Sequence, residues 1–205
     1  MNRFAYNDTR YLYKAPLPMG KRMFDIVLSV GLLTLLFIPM LLFGILIRLT
    51  SEGSALYWSD RIGIDNTIFR MPKFRTMKVN TPSVATHLLA TPAQYLTPLG
   101  RLLRKYSLDE LPQLFSVLKG DMSFVGPRPA LYNQDDLIQL RTEKGVHRLL
   151  PGITGWAQVN GRDELPIPSK VVLDEYYLIH RSFGMDLKTL FYTVFSVASC
   201  KGISH

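Results

Sequence analysis

Between Phe24 and Ile47 the chain holds 24 residues, of which 18 are hydrophobic, and none from Ile26 to Ile47 carries a charge. At 1.5 Å per residue such a run makes a helix roughly 36 Å long, enough to cross a hydrocarbon core of ~30 Å. Over the rest of the 205 residues the hydrophobic share falls to about 43%, slightly below that of an ordinary soluble domain. The chain therefore reads as one globular domain plus one membrane-seeking segment.

How the segment meets the membrane follows from its flanks and its proline. A cleaved signal peptide fits poorly, because the run is too long and Arg48-Leu49-Thr50-Ser51-Glu52 is no small-residue cleavage site. Against a simple spanning anchor stands Pro39, deep inside the run, where it removes a backbone hydrogen bond and crowds the preceding turn. Cations also flank both ends: Arg3, Arg10, Lys14, Lys21 and Arg22 before, then Arg48, Arg61, Arg70, Lys73, Arg75 and Lys78 after. Positive flanks favour the cytoplasmic side, and here both ends make the same claim. The expectation is a re-entrant helix broken at Pro39 that enters and leaves by one leaflet. This divides the chain into a basic segment (1–22), a re-entrant membrane helix (23–49) and a cytoplasmic domain (50–205).

A net charge of +8 leaves nucleic acid, anionic lipid and phosphorylated small molecules open as partners. One cysteine, Cys200, excludes an internal disulfide and any multi-cysteine metal centre. No phosphate-binding G-x-x-x-x-G-K-[ST], strand-linked G-x-G-x-x-G or H-E-x-x-H occurs. His87, His147, His180 and His205 show no ligand spacing.

After the apolar run, two stretches rich in aromatic and branched residues, Ser54–Ile62 and Thr67–Phe74, flank Gly63-Ile64-Asp65-Asn66 and predict a β-hairpin. Asn80–Ala93 reads as a surface loop. Thr97-Pro98 predicts a helix start that runs to about Tyr106, and Ser107-Leu108-Asp109-Glu110 a capping box whose helix ends near Lys119-Gly120. Ala130–Lys144 and Lys170–Arg181 read as helices, and Pro151–Arg162 as largely loop. Leu187, Leu190, Phe191, Val194, Phe195 and Ala198 fall on one face of a last helix. That face either packs on the core or lies on the bilayer beside the anchor. The fold class expected is α+β, predominantly helical, with a small β-hairpin and amphipathic interfacial helices.

Asp109-Glu110 is the sharpest constellation, and it has two readings. In one, the carboxylates simply answer the free N–H groups of a helix start. In the other, a carboxylate nucleophile is held against phosphorus, with Mg²⁺ between the acidic pair and substrate phosphate, and Arg104, Lys105 and Arg128 neutralise phosphate charge. Gly126-Pro127-Arg128-Pro129 is either a rigid turn or a guanidinium preorganised for phosphate. Gly152-Ile153-Thr154-Gly155-Trp156 and Gly161-Arg162 are either turns or loops that let backbone approach a nucleotide.

In order along the chain stand Lys21-Arg22-Met23-Phe24-Asp25, Pro72-Lys73-Phe74-Arg75-Thr76-Met77, Ser107-Leu108-Asp109-Glu110-Leu111-Pro112-Gln113, Lys119-Gly120-Asp121-Met122-Ser123, Gly126-Pro127-Arg128-Pro129 and Pro151-Gly152-Ile153-Thr154-Gly155-Trp156. This series resembles the bacterial sugar transferases that begin glycan assembly on polyprenyl phosphate, the small monotopic phosphoglycosyl transferases. The likeness runs from about Lys21 to the C-terminus, close to the family's minimal catalytic unit.

The resemblance implies transfer of sugar-1-phosphate from a UDP-sugar to undecaprenyl phosphate, with release of UMP. It implies a ping-pong course through a phosphosugar bound to Asp109, with Glu110 (and Asp109) holding Mg²⁺. Arg104, Arg128, Lys73, Arg75 and Arg162 become the expected substrate-binding residues. The expected partners are a UDP-sugar, undecaprenyl phosphate and membrane lipid at the inner (cytoplasmic) membrane, with a homodimer allowed and no nucleic acid. An N-acetylated amino sugar is the cargo that overall likeness favours. A departure stands at Ile38-Pro39, where many members place Ser-Pro. The alternatives are a membrane-anchored scaffold without catalysis and a basic binding module.

Overall fold

The computed structural model describes residues 19–82, 91–161 and 165–198. The expectations for Arg162, Cys200, His87, His205 and the cations Arg3, Arg10 and Lys14 lie outside the described residues, as does most of the loop expected over 80–93.

The chain opens with α1 (Met19–Thr50), followed by a hairpin of β1 (Leu56–Ile62) and β2 (Ile68–Phe74). Short helices α2 (Pro92–Tyr95), α3 (Gly100–Lys105) and α4 (Gln113–Lys119) come next, then β3 (Ser123–Val125) and α5 (Asp135–Glu143). Strand β4 (Gly152–Thr154), α6 (Trp156–Val159), α7 (Ile167–His180) and α8 (Phe183–Ala198) complete the α+β, predominantly helical fold. β1 pairs antiparallel with β2, Ser59 opposite Met71 and Tyr57 opposite Lys73, and β3 pairs parallel with β4.

Helix α1 corrects the expectation of a break: its backbone is helical from Met19 to Thr50 and passes through Pro39 without interruption. Proline's fixed φ is itself helical, so a long helix absorbs one missing bond. Along α1 the less exposed residues recur every three or four positions, at Asp25, Ser29, Leu32, Leu36, Met40, Phe43 and Ile47. Leu35, Phe37, Ile38, Leu41 and Leu42 stay exposed. One seam thus packs on the domain, and the remaining apolar surface needs a nonaqueous neighbour.

Both ends of α1 meet the same globular body. Near its start, the Lys21 ammonium donates to Asp186 Oδ2 at 2.6 Å and to the Val125 carbonyl at 3.1 Å. The fully buried Asp25 accepts from the Phe124 amide at 3.2 Å, and the Tyr177 hydroxyl donates to Asp186 Oδ1 at 2.6 Å. Near its end, Ile47 is buried with Phe74 and Leu103. The main core lies behind the hairpin, where Met71, Leu114, Val117, Met122, Phe124, Val125, Val146, Leu149, Tyr177 and Leu178 pack together.

Two further expectations change, and of the two placements open for the α8 face the core-facing one is not taken. The Ser107–Glu110 capping box does not form, because Ser107 is left-handed (φ 55°), its side chain caps nothing, and residues 108–110 make a 3₁₀ turn ahead of α4. Pro151–Arg162 is not largely loop: β4 and α6 occupy it, since a three-residue strand is decided by a distant partner rather than by its own sequence. In α8 the periodic apolar stripe faces outward, with Phe191 59%, Val194 67% and Phe195 60% exposed, while Asp186 and Thr189 are buried. Asp186 turns inward there because Lys21 and Tyr177 offer it partners, and the Thr189 hydroxyl is satisfied by the Met185 carbonyl of its own helix at 2.8 Å.

Removing Lys21 strands the buried carboxylate of Asp186. Lys21→Ala is expected to lower stability by about 3 kcal/mol, read as a fall in Tm of the detergent-solubilised protein. An unchanged Tm would show that the pair contributes nothing.

Candidate active site

The site is assembled from four segments. Period-2 alternation puts Ser59, Arg61, Phe69, Met71 and Lys73 on one face of the hairpin. Lys73 reaches from β2 to Glu110, Nζ to Oε1, at 2.7 Å. The Arg61 guanidinium donates to Ser59 Oγ at 3.0 Å and to the Pro129 carbonyl at 3.1 Å. Beyond β2, Thr76 is the bracket for the next segment. Its carbonyl accepts from the Thr97 amide at 2.9 Å, and its hydroxyl accepts from Arg104 Nε at 2.9 Å. Thr97 Oγ1 accepts from the Gly100 amide at 3.1 Å and closes the turn into α3, which starts at Gly100 with Leu99 rather than the expected Thr97 at its N-cap. A Cβ on Gly100 would collide with the Thr76 carbonyl, so only glycine allows this approach.

The left-handed Ser107 then turns the chain sharply, and the 3₁₀ turn places Asp109 and Glu110 side by side, with Leu108 and Leu111 packed toward Ile47 of α1. A left-handed non-glycine residue is uncommon and concentrates at functional sites. The fourth segment is Gly126-Pro127-Arg128-Pro129. Arg128 Nη2 bonds Glu110 Oε1 at 2.8 Å. Behind it, Arg141 donates to the Arg128 carbonyl at 2.7 Å while Nε and Nη2 bind Asp174 Oδ2 at 3.0 and 2.6 Å. A buried ion pair thus holds the arginine's backbone.

The charges sort themselves by environment. Burial opposes ionisation of Glu110, but Arg128 and Lys73 outweigh it through charge and hydrogen bonds and hold its carboxyl well below the usual range. Burial pushes the neighbouring Asp109 carboxyl up, against the pull of Lys73 and with the push of Glu110. Burial likewise pushes the Lys73 ammonium down, opposed by Glu110, and lowers Arg104, opposed by Asp109 and Glu110. Four cations, Arg61, Lys73, Arg104 and Arg128, gather about two carboxylates. The surplus suits a multiply charged anion such as a diphosphate.

Of the expected residues, Asp109, Glu110, Arg104, Arg128 and Lys73 converge. Arg75 turns away, donating from Nε to the Ser54 carbonyl at 2.7 Å. The glycines of residues 152–155 approach the backbone of Gly126 rather than an open cleft. Arg61 and the Arg141–Asp174 support escape sequence reading. Arg61 was within reach, since hairpin alternation puts it on the Lys73 face; nothing in the sequence pairs Arg141 with Asp174. Among the described residues no cluster of three acidic, histidine or cysteine side chains forms. Asp109 and Glu110 still fit Mg²⁺ in donor class, because this ion commonly takes one or two carboxylates and completes its shell with phosphate and water.

The two neighbours affect stability oppositely. Asp109, its folded pKa raised, is easiest to accommodate below its unfolded pKa and becomes unfavourable as pH rises through the folded value. Asp109→Asn is therefore expected to raise Tm at pH 7 in EDTA, with the gain vanishing below about pH 4. Glu110→Gln deprives Lys73 of its partner and is expected to cost about 3 kcal/mol. Shifts of the same sign in both variants would contradict the assignment.

A sequence model described as bacterial sugar transferase matches residues 17–200. The chain is 42% identical over 185 residues to the uncharacterized sugar transferase EpsL of Bacillus subtilis, covering 89% of each chain. It is 38% identical to the undecaprenyl-phosphate glucose phosphotransferase of Komagataeibacter xylinus, over 95% of this chain and 39% of that one. With the undecaprenyl-phosphate galactose phosphotransferase of Salmonella typhimurium it shares 35% identity, over 94% of this chain and 41% of the relative. The chain thus spans about two fifths of the length of these two longer relatives.

Proposed function

As a member of the bacterial sugar transferase family, the chain is, we propose, a phosphoglycosyl transferase that moves sugar-1-phosphate from a UDP-sugar to undecaprenyl phosphate and releases UMP. The observation that carries this is the buried Asp109 beside a Glu110 clamped by Lys73 and Arg128, on a turn seated against an apolar helix. Two relatives bear names for transfer of glucose and galactose to the same lipid phosphate, so a hexose replaces the amino sugar as the favoured cargo.

In the first half-reaction an Asp109 oxygen bonds to the phosphorus that carries the sugar, and the bond from that phosphorus to the bridging oxygen breaks, freeing UMP. In the second, an oxygen of undecaprenyl phosphate attacks the same phosphorus and displaces the Asp109 carboxylate. Desolvation makes the Asp109 carboxylate more reactive than water would allow while raising its pKa, and Lys73 and Arg104 work against that rise. Arg128 is held through both its carbonyl and its guanidinium, which suits it to orient phosphate without prior reorganisation. Mg²⁺, when held by Asp109 and Glu110, would neutralise charge building on the phosphate oxygens.

The reading also places the molecule at the cytoplasmic face of the inner membrane. Both ends of α1 pack on one body, which supports an anchor held at one leaflet. The exposed stripe of α8 continues the apolar surface of α1 through the edge-on contact of Phe24 with Phe183, at 5.3 Å between centroids. A surface of that kind lies naturally in the headgroup layer.

With labelled UDP-glucose or UDP-galactose, undecaprenyl phosphate and Mg²⁺, the expected products are UMP and a labelled phosphosugar on Asp109, both absent in Asp109→Asn. Normal turnover by that variant would overturn the mechanism and leave the scaffold reading. Cysteines placed singly at positions 2 and 54 in a Cys200→Ser background should label from the same side of sealed cells. Labelling from opposite sides would rule out the one-leaflet anchor.

A further inference from the structure

We infer that Arg22, at the start of the membrane helix, is a positioning residue for the Asp109–Glu110 turn and acts through α4; this rests on the reading of Asp109 as nucleophile. Its guanidinium donates from Nη1 to the Val117 carbonyl at 2.7 Å and from Nη2 to the Leu118 carbonyl at 2.8 Å. Those carbonyls belong to the last turn of α4, where the helix itself supplies no donors beyond the Gly120 amide on Val117. The helix stops at Gly120 (φ 102°), and a Cβ there would come within 3.3 Å of Arg22 Nη2, so the guanidinium lies directly on the C-terminal turn. A planar fork suits two successive carbonyls, and its positive charge suits the negative end of the helix.

The capped element matters because of what it carries. α4 has seven residues, too few to hold itself in place, so its position is set by the contacts at its two ends. At the end that bears the acidic pair, Leu108 and Leu111 pack toward Ile47, with Met40 and Phe43 of α1 in the same cluster. At the other end, Arg22 of the same helix grips the carbonyls. The membrane helix thus holds α4 at both ends, and Asp109 sits where a small displacement would spoil in-line attack. Lys21 is committed elsewhere, to Asp186 and Val125, so it does not duplicate the role. A cation at this place is usually an orientation signal for the membrane; the geometry gives this one a second duty toward catalysis.

The test compares wild type, Arg22→Ala and Arg22→Lys as full chains in bilayer nanodiscs with undecaprenyl phosphate, following UMP release. Retention in the membrane fraction of cells is measured alongside. Arg22→Ala should lose about tenfold in kcat, with KM for both substrates and membrane retention unchanged. Arg22→Lys, which keeps the charge but cannot fork across two carbonyls, should recover only part of that loss. Wild-type kcat in the lysine variant would mean that charge alone matters and would overturn the inference. So would wild-type kcat in the alanine variant, or a loss that merely tracks departure from the membrane. If Arg22→Ala does not fold, the lysine variant decides alone. Asp109→Asn in the same assay separates the premises. Its turnover would sink the nucleophile, whereas its silence beside normal Arg22 variants would sink only this inference.

Discussion

The site depends on the Glu110 carboxylate, whose Oε1 binds Lys73 and Arg128 at once. Those partners come from β2 and from the Gly126–Pro129 segment, so a single oxygen ties together three stretches of chain that also meet through Arg61 on the Pro129 carbonyl and through Phe74 with Leu108 and Leu111. Burying such charges does little for stability, because desolvation consumes most of the Coulombic gain. The return is order. With Glu110 neutralised by fixed cations, Asp109 can sit beside it, desolvated, so that two neighbouring carboxyls are pushed in opposite directions.

Around that centre the fold works as a set of supports. Arg141, paired with Asp174, holds the backbone of Arg128. Thr76 receives both the Thr97 turn and the Arg104 side chain. Helix α1 underlies the acidic turn through Ile47, Leu108 and Leu111, and its polar N-terminal residues are spent on the domain rather than on solvent. An apolar helix built into the domain in this way joins it to the site without a flexible linker.

Much of this was legible from the residues. The apolar run, the hairpin around Gly63–Asn66 and helices α5 and α7 follow from periodicity and turn residues, because each is decided by local pattern. The acidic pair and the arginine of Gly126–Pro129 were legible as candidates and are brought together. The misreadings share one cause. Ser107-Leu108-Asp109-Glu110 has the spacing of a capping box, yet Lys73 and Arg128 bind Glu110 and take away its role as a cap. Residues 152–154 lack strand character until β3 pairs with them. The α8 stripe, readable as a core or a bilayer face, turns outward because Asp186 takes the inner side with Lys21 and Tyr177.

By itself, the sequence determined that one segment must leave water, that a basic domain follows, and that two adjacent carboxylates stand among arginines in an order shared with a family of sugar transferases. Those facts rest on composition and short spacings, which no tertiary contact can alter. Only the tertiary structure decided that Glu110 is the clamped carboxylate and Asp109 the desolvated one, that Arg61 joins the site while Arg75 does not, and that Arg22 caps α4. Such outcomes depend on burial and on partners tens of residues away, and pairing and desolvation have no signature in the local order of residues.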